Sequence, residues 1–199
     1  MKASIFALLS RFVLVPGYLN SHGSTFEAGR QNLSKYLIYE STGFCPPLPR
    51  NSTMLYLNSP ELTQHIHSIG SIGGFKFMRT HWLLSLKIPS EVDLLVNYLK
   101  LLKLNGMNPI FEVMGNMGGT VVDFDDFSTV KNWKTGLTIV LREMIKQFGA
   151  EALKNHWIFE TWNEPDHVMS FEDVAMTDSG YDNYVETTLE VFSVFNALN

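Results

Sequence analysis

Apolar and polar positions along the chain change period several times, and each change marks an element. From Ser90 to Asn105 the apolar residues fall at Val92, Leu95, Val96, Leu99 and Leu102, the three-and-four spacing of a helix with one buried face, and Gly106 closes it. Asp126 to Phe148 repeats the spacing with Val130, Trp133, Leu137, Val140, Leu141, Met144 and Ile145, followed by Gly149. Short runs between these helices do not fit that period: Phe75 to His81, Pro109 to Gly115 and His156 to Asn163 predict strands. Ser59-Pro60-Glu61 supplies an N-cap residue, a proline at the first helical position and an early acid, predicting a helix to about Ile69 ended by Gly70, Gly73 and Gly74. A final helix over Tyr181 to Leu198 and a weaker strand signal near Met54 to Leu57 complete the pattern.

Strands separated by crossover helices pair in parallel, so the predicted class is α/β, with function in loops at the C-terminal strand ends. About four strand-helix units are legible, whereas a closed (β/α)8 barrel needs eight pairs and typically ~250 residues. The expectation is therefore a partial (β/α)8 TIM barrel, about the first four strand-helix units, over residues 39–199, truncated near halfway. Residues 1–38 show no sustained period and include the polar stretch Asn20 to Arg30, so they read as a leader or irregular N-terminal arm. Pro46, Pro47 and Pro49 make Gly43 to Pro49 an extended, non-helical loop, with Phe44 and Leu48 free to dock on a core.

Composition narrows the function classes. The chain has 199 residues, 45% hydrophobic and 18% charged, which suits one globular unit with a buried core. A formal charge of -5 provides no basic stripe, so nucleic acid is not an expected partner. The single cysteine, Cys45, cannot close an internal disulfide, no Cys/His cluster has zinc spacing, and no apolar run reaches the length of a membrane span. Lys2 followed by Ala3 to Leu9 has the outline of a short signal peptide, interrupted by Arg11. The sequons Asn32-Leu33-Ser34 and Asn51-Ser52-Thr53 make Asn32 and Asn51 candidate glycosylation sites if the chain enters the secretory pathway.

The strongest chemical signal is Glu160-Thr161-Trp162-Asn163-Glu164-Pro165-Asp166. It sets a carboxylate just after a strand, where Pro165 stops the ladder and holds an extended turn. Desolvation beside Trp162 raises a glutamate pKa and makes a proton donor near neutral pH, so Glu164 is the candidate general acid, with Asn163 able to hydrogen-bond a sugar hydroxyl. Trp133, Trp157 and Trp162 are separated by element boundaries, and of the three only Trp162 lies at this strand end, where it would touch a bound ligand. Asp123, Asp125 and Asp126 read as a solvated acidic loop capping the next helix rather than a metal site, and His65 and His67 as surface or interhelical residues.

His156 to Asp166, with Phe171-Glu172-Asp173-Val174, closely resembles the acid/base region of the alpha-L-iduronidases, in the iduronidase and beta-xylosidase family of glycoside hydrolases. Ser41 to Pro49 and Arg79-Thr80-His81-Trp82-Leu83-Leu84 are similar to the iduronidase branch, and Phe111-Glu112-Val113-Met114-Gly115 fits between them in order. The resemblance runs from about Tyr39 to Asn199. It implies a retaining hydrolase of glycosaminoglycans carrying terminal iduronic acid, dermatan sulfate and heparan sulfate, in a lysosomal or secretory setting, with no cofactor. It implies Glu164 as acid/base, His81 and Asn163 as substrate contacts, and Arg79 as support for a nucleophile. That nucleophile is expected on a seventh strand beyond Asn199, so this chain by itself is expected to be inactive, with Arg79 left a buried cation lacking its anion and exposed barrel edges open to self-association. Glu112 and Glu160 share inward parity but read as polar residues of the barrel floor rather than substitute nucleophiles. The other readings are a non-catalytic truncated isoform or incomplete gene product, and a beta-xylosidase relative.

Overall fold

The computed structural model describes residues 12–13, 41–44, 50–81, 89–115, 122–163, 165 and 176–196. Its elements in chain order are β1 (Phe12–Val13), β2 (Ser41–Phe44), α1 (Arg50–Leu57), α2 (Pro60–Ile72), β3 (Phe77–Thr80), α3 (Pro89–Leu104), β4 (Asn108–Glu112), α4 (Phe127–Phe148), α5 (Ala150–His156), β5 (Ile158–Glu160) and α6 (Asp178–Asn196). The strands form one sheet in the order β1-β5-β4-β3-β2, and every neighbouring pair is parallel. Consecutive strands β2 to β5 stand side by side with helices between them. An unclosed sheet of this kind is part of a (β/α)8 barrel.

The predicted helices form where the apolar period placed them. Ser59 caps α2, its side chain accepting from Leu62 N–H at 3.3 Å, with Pro60 in the first turn. The helix runs past Gly70 and is ended by Gly73, whose φ of 73° a side chain would resist. Asp126 caps α4 by accepting from Ser128 N–H at 2.9 Å, the helix-capping role expected of the acidic loop. Leu95, Leu99 and Leu102 of α3 and Trp133, Leu137, Val140, Leu141 and Met144 of α4 are buried in one core with Met78, Phe111 and Phe159 of the sheet. His65 meets Tyr56 and His67 meets Asn105, each at 2.7 Å, so these histidines link α2 to its neighbours on α1 and after α3.

Three local expectations change. The strand signal at Met54 to Leu57 belongs to helix α1, and the first strand of the β2-to-β5 series is Ser41–Phe44. Only four apolar-rich residues separated the two assignments, and pairing decides: Ser41 to Phe44 have a partner strand in Phe77 to Thr80. Helix α5, directly after Gly149, lay in a stretch too short for its period to declare. Phe12–Val13, within the stretch read as leader or arm, pair with Phe159 and Glu160 at the far edge of the sheet. A two-residue strand carries no readable alternation, so only this long-range pairing reveals it. The loop Cys45 to Pro49 lies outside the described residues.

Alternation along each strand sorts side chains to two faces. Met78, Thr80, Phe111 and Phe159 face the helices and are buried. Register puts Arg79 beside Ile110, and Glu112 beside Glu160, so Arg79, Glu112 and Glu160 share the opposite face near the C-terminal strand ends.

Candidate active site

Those three residues come together on that face. Arg79, from β3, donates through Nε to Glu160 Oε2 at 2.7 Å and through Nη2 to Glu160 Oε1 at 3.0 Å. The same Nη2 reaches Glu112 Oε1 at 3.0 Å and Asn163 Oδ1 at 3.1 Å. One guanidinium therefore ties together β3, β4, β5 and the loop after β5, and its planar fork suits the two Glu160 oxygens. His81, one residue past β3, sets its Nδ1 against Glu112 Oε2.

The electrostatics follow from depth. The Glu112 side chain is 0% exposed, that of Glu160 13%, that of His81 12% and that of Arg79 33%. Burial pushes the Glu112 carboxyl above its ordinary pKa, the hydrogen bond and charge of His81 and the charge of Arg79 oppose that rise, and the Glu160 charge adds to it. Arg79 was expected to lack its anion, yet two carboxylates hold it. Nor do Glu112 and Glu160 lie in a barrel floor: they close the C-terminal ends of β4 and β5. The signal for this was present as strand parity, but which carboxylate faces which cation depends on register, which sequence does not state.

A second set of contacts holds the strand ends. Tyr184 of α6, fully buried, donates its hydroxyl hydrogen to Val113 O at 2.8 Å and accepts from Trp162 N–H at 2.9 Å. Burial raises the Tyr184 pKa far above the ordinary range, so the hydroxyl stays protonated and can serve both partners. Phe124, Trp133 and Trp162 pack around its ring, edge to face. Trp162, the tryptophan expected near sugar, is 8% exposed, with its ring packed against Phe124 and Tyr184. Tyr184 had no sequence signal, since it lies in a helix of ordinary period. Asp125, accepting from Thr177 Oγ1 at 2.5 Å and Ser179 Oγ at 2.7 Å, joins the loop before α4 to the start of α6.

Of the predicted site residues, Arg79, His81 and Asn163 thus converge, joined by Glu112 and Glu160. Glu164 lies outside the described residues, between Asn163 and Pro165. Asn32 is also outside them, and Asn51 falls in the first turn of α1. Among the described residues no three His, Cys, Asp or Glu side chains are grouped to hold a metal ion, and no helix is long and apolar enough to cross a membrane.

The chain is similar to known proteins along most of its length. The chain is 34% identical to human alpha-L-iduronidase over 203 residues, covering 95% of this chain and 31% of that protein. It is 38% identical to the mouse alpha-L-iduronidase over 164 residues, covering 76% of this chain and 25% of that protein. The chain therefore spans less than a third of the length of these relatives. Its fold superposes on a crystal structure of a bacterial orthologue of the human enzyme with a TM-score of 0.62 and 27% identity, over 78% of this chain and 25% of that one. Residues 27–197 match the family described as glycosyl hydrolases family 39. With the parallel strands, their polar C-terminal cluster and this match across most of the sequence, the chain belongs to glycosyl hydrolase family 39, among the alpha-L-iduronidases.

Proposed function

We propose that this chain supplies the acid/base half of a retaining site that hydrolyses terminal α-L-iduronides of glycosaminoglycans, in a lysosomal or secretory setting. The supporting observation is the hydrogen-bonded cluster of Arg79, Glu112, Glu160 and Asn163 at the ends of three consecutive parallel strands, with His81 on its rim and Glu164 next in sequence to Asn163. In this reading Glu164 protonates the leaving glycosidic oxygen and then, as base, activates the water of the second step. Asn163, its Oδ1 engaged by Arg79, offers its amide N–H groups to a ring hydroxyl, and His81 contacts a second hydroxyl.

A retaining mechanism also needs a nucleophilic carboxylate about 5 to 5.5 Å from the acid. Glu112 and Glu160 are poor candidates, since Arg79 and His81 occupy their oxygens and little of either is exposed. The nucleophile belongs, on this proposal, to sequence outside residues 1–199, and residues 39–199 act as one unit of the barrel. Hydrolysis of a fluorogenic α-L-iduronide by the 199-residue chain is then close to background, while methyl α-L-iduronide perturbs the nuclear magnetic resonance signals of His81 and Asn163. Turnover comparable to a full-length relative would overturn the assignment of the nucleophile. Perturbation by a methyl β-xyloside and not by the iduronide would instead favour a xylosidase.

A further inference from the structure

The imidazole of His81 stands just past the last ladder residue of β3, so the strand itself does not set its orientation. What faces it is Glu112, fully buried, with Oε2 on the His81 Nδ1. The other oxygen, Oε1, is taken by Arg79 Nη2 at 3.0 Å, and Arg79 is held in turn by both oxygens of Glu160 and by Asn163 Oδ1. A carboxylate whose two oxygens face two different partners cannot rotate without breaking one of these contacts. We infer that Glu112 is a positioning residue for His81, holding Nδ1–H and so reserving Nε2, on the opposite edge of the ring, as an acceptor for a ligand hydroxyl.

The chemistry of the pair supports this assignment. An ionised carboxylate only accepts, so the imidazole nitrogen facing it must carry the hydrogen, and in the neutral ring the other nitrogen then keeps its lone pair. Free imidazole in water has no such constraint, and the choice of tautomer is set by the bond the buried nitrogen makes. The charged and titratable groups facing Glu112 are Arg79 of β3, His81, Glu160 of β5 and Tyr184 of α6; Tyr184 gives its hydroxyl hydrogen to Val113 O, so among these groups His81 and Arg79 are the donors. The identity of the ligand rests on the function proposed above. The tautomer does not.

The test is long-range proton-nitrogen correlation on the whole 199-residue chain, labelled with 15N-histidine, at pH 8; a His81→Asn variant identifies the His81 signals. The wild type is expected to show Nδ1 protonated and Nε2 bare. Glu112→Gln preserves size and shape, but Arg79 claims the amide oxygen and the amide NH2 turns to Nδ1, so the two ring nitrogen shifts interchange and Nε2 carries the hydrogen. A residue that merely fills space would leave the tautomer the same in both proteins, and that result, or Nε2–H in the wild type, would overturn the inference. Should Glu112→Gln fail to fold, the wild-type tautomer still decides. Absence of any response to methyl α-L-iduronide counts against the proposed substrate and leaves the Glu112 assignment standing.

Discussion

Replacing Tyr184 by phenylalanine removes one oxygen and keeps the ring, so the perturbation isolates a hydroxyl. That hydroxyl joins Val113 O, at 2.8 Å, to Trp162 N–H, at 2.9 Å, and both of those residues are buried. The ring packs edge to face on Phe124, Trp133 and Trp162 at centroid distances of 5.3, 5.6 and 5.8 Å, and Tyr184→Phe preserves this stacking. What changes is that a buried carbonyl and a buried N–H each lose a partner, in a gap left by one atom and too small to admit water. Each orphaned group costs about 1–3 kcal/mol, so Tyr184→Phe is expected to lower stability by about 2–6 kcal/mol. With a urea m-value of about 2 kcal/mol/M, the unfolding midpoint falls by roughly 1–3 M at unchanged slope. Val113 follows β4 directly and Trp162 lies two residues past the end of β5, so the same substitution loosens the ends that present Glu112 and Asn163. A midpoint shift under about 0.3 M in urea, well below the cost of one orphaned group, would refute the reasoning and mean that the backbone groups find other partners.

Glu112→Gln tests the electrostatics by pH. Burial raises the Glu112 pKa in the folded chain, so the folded state holds that proton more tightly than the unfolded one; the resulting stability is complete below the ordinary carboxylate range and is lost as pH rises through the raised value. Urea midpoints measured from pH 4 upward are expected to fall for the wild type relative to Glu112→Gln across that window, and parallel curves would exclude the shift. Asp126→Ala removes the α4 cap and is expected to cost about 0.5–2 kcal/mol by thermal or urea unfolding, with Asp126→Ser recovering most of it. Gly70→Ala, which in an open helix would gain about 1 kcal/mol, is expected here to destabilise by about 1–3 kcal/mol. Its Cβ would lie 2.8 Å from Asn105 Cβ, and moving Asn105 also breaks its bond to His67, so an unchanged or raised midpoint would refute the clash.

Sequence alone was sufficient for the elements with many repeats of one period. Five apolar positions on α3 and the broad stripe on α4 declare helices whatever surrounds them, because a single face must be buried over several turns. Ser59-Pro60 and Asp126 mark helix starts because a cap is satisfied within three residues of chain. The order of strands and helices then restricts the sheet to parallel pairing, and the proline in the Trp162-Asn163-Glu164-Pro165 run marks the end of the strand before it. The Met54 to Leu57 run was misread for the converse reason: four residues do not span enough chain to separate periods of 2 and 3.6. Tertiary structure alone decided the partners. That Arg79 has two anions, that Glu112 orients His81, that the Trp162 ring is core, and that Phe12–Val13 join the far edge beside β5 all depend on residues between 22 and 147 positions apart being brought together. Local propensity carries no record of such pairings, because the energy that selects them comes from desolvating charges and aligning strands only once the chain has closed upon itself.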